Sequence, residues 1–360
     1  MDPDTLADEW EILTGFLPPR WEELAWHTGA MKRSRKVKDP DTLLFLLMLH
    51  VAGGLSLRQA AARADQQGIA SISDVALMKR LQKSETWLHE LVRRMFADSR
   101  YEPDVSKTVP DHRVLVVDGT NIQEPGSTGT DWRLHYLLEL PSLACNYVEL
   151  TDQYGGETYH RVPVEPGDIV LGDRAYGHRE AVAAVVDQDA DVIVRLTWNG
   201  FPLTEPTGQA FDLFGHLRSL NDHHPAAWSV QFITSERRYD GRVCAIRRSQ
   251  SAAEAAKERA RKAGDPTPET LEAAEYVFVF TTLPDELLAP TDVLELFQAR
   301  WQIELAFKRL KSLFGIGHVP KQNDRSARAW IYAKLLAVLM IERLHEAADF
   351  FPWGFELPDA

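Results

Sequence analysis

Two apolar runs in this chain end on an aspartate. "RVLVVD" closes on Asp118 and "GDIVLGD" closes on Asp173. A third carboxylate, Glu304, lies in "FQARWQIELAFKRLKS" (297–312), among Arg300, Lys308, Arg309 and Lys311. A carboxylate at the carboxyl end of a buried strand stands at the rim of a sheet, where ligands bind in α/β folds. The plain alternative for each aspartate is a turn, because Asp-Gly and Gly-Asp are turn formers. Three carboxylates on separate elements point to a hard divalent cation. Mg²⁺ takes oxygen ligands and bridges to phosphate oxygens. Two such ions can activate a water and stabilise the leaving oxygen of an in-line phosphodiester displacement. Cations around the carboxylates would then hold a phosphate backbone.

The elements that must position these groups can be read from periodicity. On a wheel of roughly 100° per residue, Phe297, Arg300, Glu304, Lys308 and Lys311 fall in one stripe about 80° wide. Trp301, Leu294 and Leu305 flank it on one side, and Leu296, Ile303, Phe307 and Leu310 on the other. The pattern predicts one long helix with Glu304 held between apolar walls. The alternative is an exposed Arg300–Glu304–Lys308 ladder at i,i+4 spacing, worth a few tenths of a kcal/mol.

Residues 1–100 read as mostly helical. "DPDTLLFLLMLHVAGG" starts with a capping signal and ends in glycines. "LSLRQAAARADQQG" and "SDVALMKRLQKSETWLHELVRRMF" follow as amphipathic segments, compatible with a helix-turn-helix or with two helices that only pack on each other. After residue 111 strands take over: "RVLVVD", "WRLHYLLEL", "ACNYVELTD", then "GDIVLGD", a helix in "HREAVAAVVDQ" and a strand in "DVIVRLTW". Residues 198–275 interrupt this pattern with a hairpin ("WSVQFITSE", "GRVCAIRRSQ") and a polar, partly helical stretch before "YVFVFTTL" returns as a strand. The expected class is α/β with a mixed sheet.

Composition is that of a globular chain, 44% hydrophobic and 26% charged. The apolar runs at 43–55 and 333–341 are too short to span a bilayer and read as buried helices. The acidic N-terminus shows no signal-peptide pattern. Cys145 and Cys244 match no zinc or disulfide framework, which fits a reducing cytoplasm. The net charge of −13 is unevenly spread: residues 1–24 hold seven acidic and one basic side chain, "KRSRKVK" (32–38) holds five cations, and 297–328 holds seven basic and two acidic side chains. A basic surface able to neutralise several phosphates can exist on an acidic protein.

The spacing Phe297-x2-Arg300-x3-Glu304-x6-Lys311 resembles the Tyr-x2-Arg-x3-Glu-x6-Lys signature of bacterial insertion-sequence transposases, the group named after insertion sequence four. "VVDGTNI" and "GDIVLGDRAYG" resemble that family's two aspartate motifs, in the same order. The resemblance spans roughly residues 111–345. It implies a ribonuclease-H-like fold at 106–197 and 276–345, with a β-rich insertion at 198–275. A helical DNA-binding region at 1–105 would precede it, and a tail at 346–360 would follow. It also implies a catalytic triad of Asp118, Asp173 and Glu304 binding two Mg²⁺ or Mn²⁺ ions. The DNA contacts it implies are Arg300, Lys308 and Lys311, with Phe297, Arg174, Tyr176 and Trp198 as further candidates. The partners would be double-stranded DNA at terminal inverted repeats and at the target, held by a homodimer in the cytoplasm with no membrane contact. The implied chemistry is nicking at the element end, hairpin formation by the freed 3′-hydroxyl and joining to target DNA. One position departs from the signature: Phe297 stands where the family has tyrosine, so stacking survives and a hydroxyl donor is lost. "VLVVDGT" also resembles the haloacid-dehalogenase phosphatase motif, but Val116 occupies the nucleophile position. The remaining alternative is a relative that binds DNA without cleaving it.

Overall fold

The computed structural model describes residues 10–97, 109, 112–140, 145–220, 224–235, 237–312, 315–321 and 323–349. The tail expected at 346–360 falls outside these residues beyond 349, as do the first nine residues. The chain divides into two compact units. One is drawn from residues 1–100, 121–132 and 307–360, the other from 101–120 and 133–306.

The first unit is helical: α1 (Trp21–His27), α2 (Pro40–Val51), α3 (Leu57–Gln66), α4 (Asp74–Lys83), α5 (Glu85–Ala97) and a long α12 (Asp324–Asp349). Its helix starts follow local chemistry. Asp39 caps α2 ahead of Pro40, Ser56 and Gln59 form a reciprocal capping box on α3, and Ser73 caps α4. The apolar run of α2 is buried almost throughout, as its composition predicts. α12 packs against α5, α4 and α2. Its 333–341 run, expected to be buried, is buried except at Lys334 and at the exposed Ile341. No helix among the described residues is long and apolar enough to cross a membrane.

The second unit is built on an eight-stranded sheet. Its strands are β1 (Val114–Ile122), β2 (Trp132–Leu140), β3 (Cys145–Asp152), β4 (Ile169–Gly172), β5 (Asp191–Arg195), β6 (Ala226–Ile233), β7 (Arg238–Arg247) and β8 (Tyr276–Thr281). The order is β3-β2-β1-β4-β5-β8-β7-β6. β1, β4 and β5 run parallel, with α6 (Arg179–Val186) as the crossover between β4 and β5. β4 is buried at all four residues, the signature of a strand covered on both faces. β8 runs antiparallel to both β5 and β7, and the β6–β7 hairpin extends the sheet beyond it. Three short helices accompany that hairpin: α7 (Leu213–Arg218), α8 (Gln250–Ala263) and α9 (Pro268–Ala273). The core on this side gathers Phe201, Phe232, Tyr239 and Phe280 into tilted, stacked and edge-on ring contacts.

The long helix expected across 291–314, whose last two residues lie outside the described ones, is interrupted. α10 (Pro290–Gln298) ends, Ala299 and Arg300 form a turn, and α11 (Trp301–Ser312) begins again. The cause is a local tightening of hydrogen bonds. Arg300 N–H donates to Phe297 O at 3.1 Å and Ile303 N–H to Arg300 O at 3.1 Å, both with three-residue spacing. Apolar periodicity survives such a break, so the sequence pattern alone does not reveal it.

Candidate functional site

β1 and β4 bring the two aspartates together by register. Val116 pairs with Leu171, and the same offset of 55 carries Asp118 level with Asp173 just past the last paired residues. Adjacent strands lie about 4.8 Å apart, and equal offset puts both side chains on one face. Asp118 Oδ1 accepts the N–H of Gly119 at 2.7 Å. Asp173 Oδ1 accepts the N–H of Ala175 at 2.8 Å and so caps a short 3₁₀ turn at Arg174–Tyr176. The second oxygen of Asp173 is left for other work, and that of Asp118 faces Arg300.

The electrostatics of the pair are unusual. Burial pushes the Asp118 carboxyl up to about 7, and the negative charges of Asp173 and Glu157 reinforce this against the Gly119 amide and Arg300. Glu157 is a third acid at this rim that sequence reasoning missed. Burial raises its carboxyl too, as does Asp173, while Arg133 at 3.7 Å lowers it. Gly119 makes room for it: a Cβ there would fall 2.5 Å from Glu157 Oε1. Nothing in "GGET" marks Glu157 in advance, since it ends no strand and follows no signature spacing.

Arg300 connects the third carboxylate to the first. Its Nη1 lies 3.7 Å from Asp118 Oδ2, and its Nη2 donates to Glu304 Oε1 at 2.8 Å. The guanidinium is 16% exposed and lies 5.9 Å from the Phe297 ring centre. Glu304 itself is 61% exposed. This corrects the expectation of a glutamate between apolar walls: the turn at 299–300 restarts the helix with Glu304 facing water. Lys308 and Lys311 are exposed further along α11, and the side chains of Leu305 and Leu310 lie outside the described residues. Among the described residues, no three His, Cys, Asp or Glu side chains are gathered closely enough to hold a metal ion.

Two other expectations are corrected. Phe297 is 8% exposed and Tyr176 is fully buried, so neither offers a ring to DNA. Phe297 belongs to the buried face of α10 and supports the Arg300 guanidinium. Tyr176 packs against Tyr159 at 5.1 Å beneath Asp173, and neither buried hydroxyl has a hydrogen-bond partner among the described residues. Arg174 is exposed, and Trp198 is half-buried with its indole N–H donating to Thr270 Oγ1 at 3.2 Å.

A model of the family described as "Transposase DDE domain" matches residues 149–340. The transposase for insertion sequence element IS421 of Escherichia coli is 33% identical over 359 residues, covering 96% of each chain. The InsL protein for insertion sequence element IS186A of Escherichia coli strain K12 is 33% identical over 358 residues, again 96% of each chain. A shorter match, 38% identical over 60 residues, is to the transposase for insertion sequence element IS231F of Bacillus thuringiensis subsp. israelensis; it covers 17% of this chain and 13% of that one. With a fold of mixed α/β topology, paired strand-end aspartates and likeness to these relatives along nearly its full length, the chain belongs to the DDE transposases of bacterial insertion sequences, the group named after insertion sequence four, and is an enzyme that acts on DNA.

Proposed function

We propose that Asp118, Asp173 and Glu304 are the catalytic triad, and that with Arg300 they cleave and rejoin phosphodiester bonds at the ends of an insertion sequence. The family generally depends on divalent metal. The donor set fits such an ion: hard carboxylate oxygens, one of them on an acid whose negative form is disfavoured by burial and by two neighbouring acids. That crowding of acids is the observation that carries the reading, because a site built only for packing gains nothing from it. Two Mg²⁺ or Mn²⁺ ions would be held by Asp118, Asp173 and Glu304. When bound, they would supply charge neutralisation at the phosphoryl oxygens and a nucleophile active at neutral pH.

The chain's own residues do the rest. Asp173 is fixed by its bond to the Ala175 amide and Asp118 by its bond to the Gly119 amide, so each presents its second oxygen in a set direction. Arg300 holds Asp118 and Glu304 through one guanidinium. It can exchange those carboxylates for a phosphate, since a guanidinium binds either in the same forked geometry. Lys308 and Lys311 would contact the backbone of the transposon end, and a homodimer would hold two ends together. Cut-and-paste through a hairpin would use the freed 3′-hydroxyl as the next nucleophile, attacking the opposite strand.

Incubating the purified protein with its own flanking element ends and Mg²⁺, then mapping the cut strands, tests the reading. Glu304→Ala is expected to bind the ends almost as the parent does and to lose strand cleavage by at least about a thousandfold. Metal-dependent cleavage at the parent rate by that variant would remove Glu304 from the triad.

A further inference from the structure

A cavity of about 660 Å³ opens beside the carboxyl ends of β4 and β5, and its lining is strongly cationic. Arg174, Arg195, Arg248 and Arg259 reach it from four elements: the turn after β4, the end of β5, the segment after β7 and the middle of α8. Among the described residues, no carboxylate lines it. The remaining wall offers Thr197, Asn199 and the ring of Trp198.

These arginines keep N–H donors open to an anion. Arg174 and Arg195 have no hydrogen-bond or ion-pair partner among the described residues. Arg248 spends one N–H on Tyr276 O at 3.3 Å, and Arg259 spends one on Ala255 O at 3.3 Å. Arg195 is half-buried, and burial together with Arg174, Arg248 and Arg300 pulls it down to about 10. Arg195 and Arg248 are half-buried, Arg174 and Arg259 are exposed, and Asp173 is the acid whose charge reaches Arg174 and Arg195; half-buried guanidiniums crowded together with no hydrogen-bonded anion are costly. Several arginines elsewhere in this unit are matched to acids: Arg113 with Asp168 at 2.7 Å, Arg218 with Glu272 at 2.6 Å and Arg242 with Asp285 at 2.5 Å. These four are gathered in one cavity, and one of them, Arg174, directly follows Asp173.

We propose that the cavity lined by Arg174, Arg195, Arg248 and Arg259 is a phosphate-binding pocket that receives the sugar-phosphate backbone of one DNA strand as it leaves the carboxylate site. Forked guanidiniums match phosphate oxygens, and Trp198 gives a neighbouring base or sugar an apolar face. The proposal rests on the catalytic reading of Asp118 and Asp173 for its geometry, but it concerns binding alone. Free inorganic phosphates share the same chemistry, so the test separates the two sources.

Binding of a short single-stranded oligonucleotide is measured by fluorescence anisotropy in EDTA, where no strand is cut, over a range of KCl. For single strands the salt slope changes by about 0.7 per phosphate contact. The double variant Arg248→Gln/Arg259→Gln is expected to bind on the order of a hundredfold more weakly, with a slope shallower by about 1.4. Arg259→Gln alone, on an exposed helix face, guards against misfolding and should lower the slope by about 0.7. Arg195→Gln should weaken binding while raising the melting temperature, because it removes an unpaired, half-buried charge; a purely structural Arg195 would lower that temperature instead. Arg218→Gln, outside the cavity, should leave the slope unchanged. Unaltered affinity and slope in the cavity variants would overturn the proposal. So would saturable binding of inorganic pyrophosphate that the cavity variants abolish while oligonucleotide binding stays at the parent level, since the phosphate would then not be that of a strand. Because no divalent ion is present, the result is independent of whether Glu304→Ala retains cleavage.

Discussion

At the scale of single residues, Asp118 carries the most consequence. Its folded carboxyl titrates near 7 against an ordinary value near 3.9. The folded state therefore keeps a proton that the unfolded state releases between about pH 4 and pH 7. The resulting penalty is absent below about pH 4, grows through that window, and is complete above pH 7 at about 4 kcal/mol. Asp118→Asn is expected to raise stability in metal-free buffer at pH 8 by about 2 kcal/mol, with little effect at pH 4, as read by urea unfolding. His135 works in the opposite sense. Burial, with Arg161 and Arg133 nearby, holds its folded value down at about 4. Its neutral form in the fold contributes fully above about pH 6.5 and is lost as pH falls towards 4, at about 3 kcal/mol. His135→Asn should lack this acid-side loss when unfolding is compared at pH 7 and pH 4. Both aspartates were legible as the ends of apolar runs, because a buried parallel strand leaves that mark. Phe297 and Tyr176 were placed on the DNA side in error, since an aromatic residue in a motif looks the same from sequence whether it faces solvent or core.

At the scale of elements, the hairpin between β5 and β8 is tied to the glutamate-bearing segment by one side chain. Arg242 of β7 is buried and donates to Leu283 O at 2.7 Å, to Pro284 O at 3.1 Å and to Leu288 O, with Asp285 at 2.5 Å. These acceptors form the connection that leads into α10, which ends where Arg300 begins its turn. Arg242→Met would leave several carbonyls without a donor, so a loss of about 3 kcal/mol is expected in chemical unfolding. Cleavage should also weaken, because Arg300 loses its fixed approach to Asp118. The hairpin strands themselves were readable from alternation. Their joining onto β8 was not, because strand order is set by which edges remain open and no local pattern records that. The cationic cavity escaped notice for the same reason: positions 174, 195, 248 and 259 meet only through the β5–β8–β7 pairings. The break at 299–300 carries no glycine or proline to announce it.

At the scale of the whole molecule, charge is partitioned. The chain carries a formal −13, yet 297–328 is basic by seven to two and 32–38 holds five cations without an anion. Association with DNA should therefore fall steeply with added salt, by about a thousandfold or more between 50 and 200 mM if six or more phosphates are neutralised; a flat salt titration of affinity would contradict this. The sheet order has a consequence for synthesis. Among the described residues β8 is the last strand made, and it slots between β5 and β7, whose edges have already left the ribosome by then. Until residues 276–281 arrive, both edges stand open. A nascent or prematurely terminated chain ending before Tyr276 would present two ready templates for pairing with a neighbour. Truncated copies of this gene product should therefore be found in inclusion bodies and not as inert fragments.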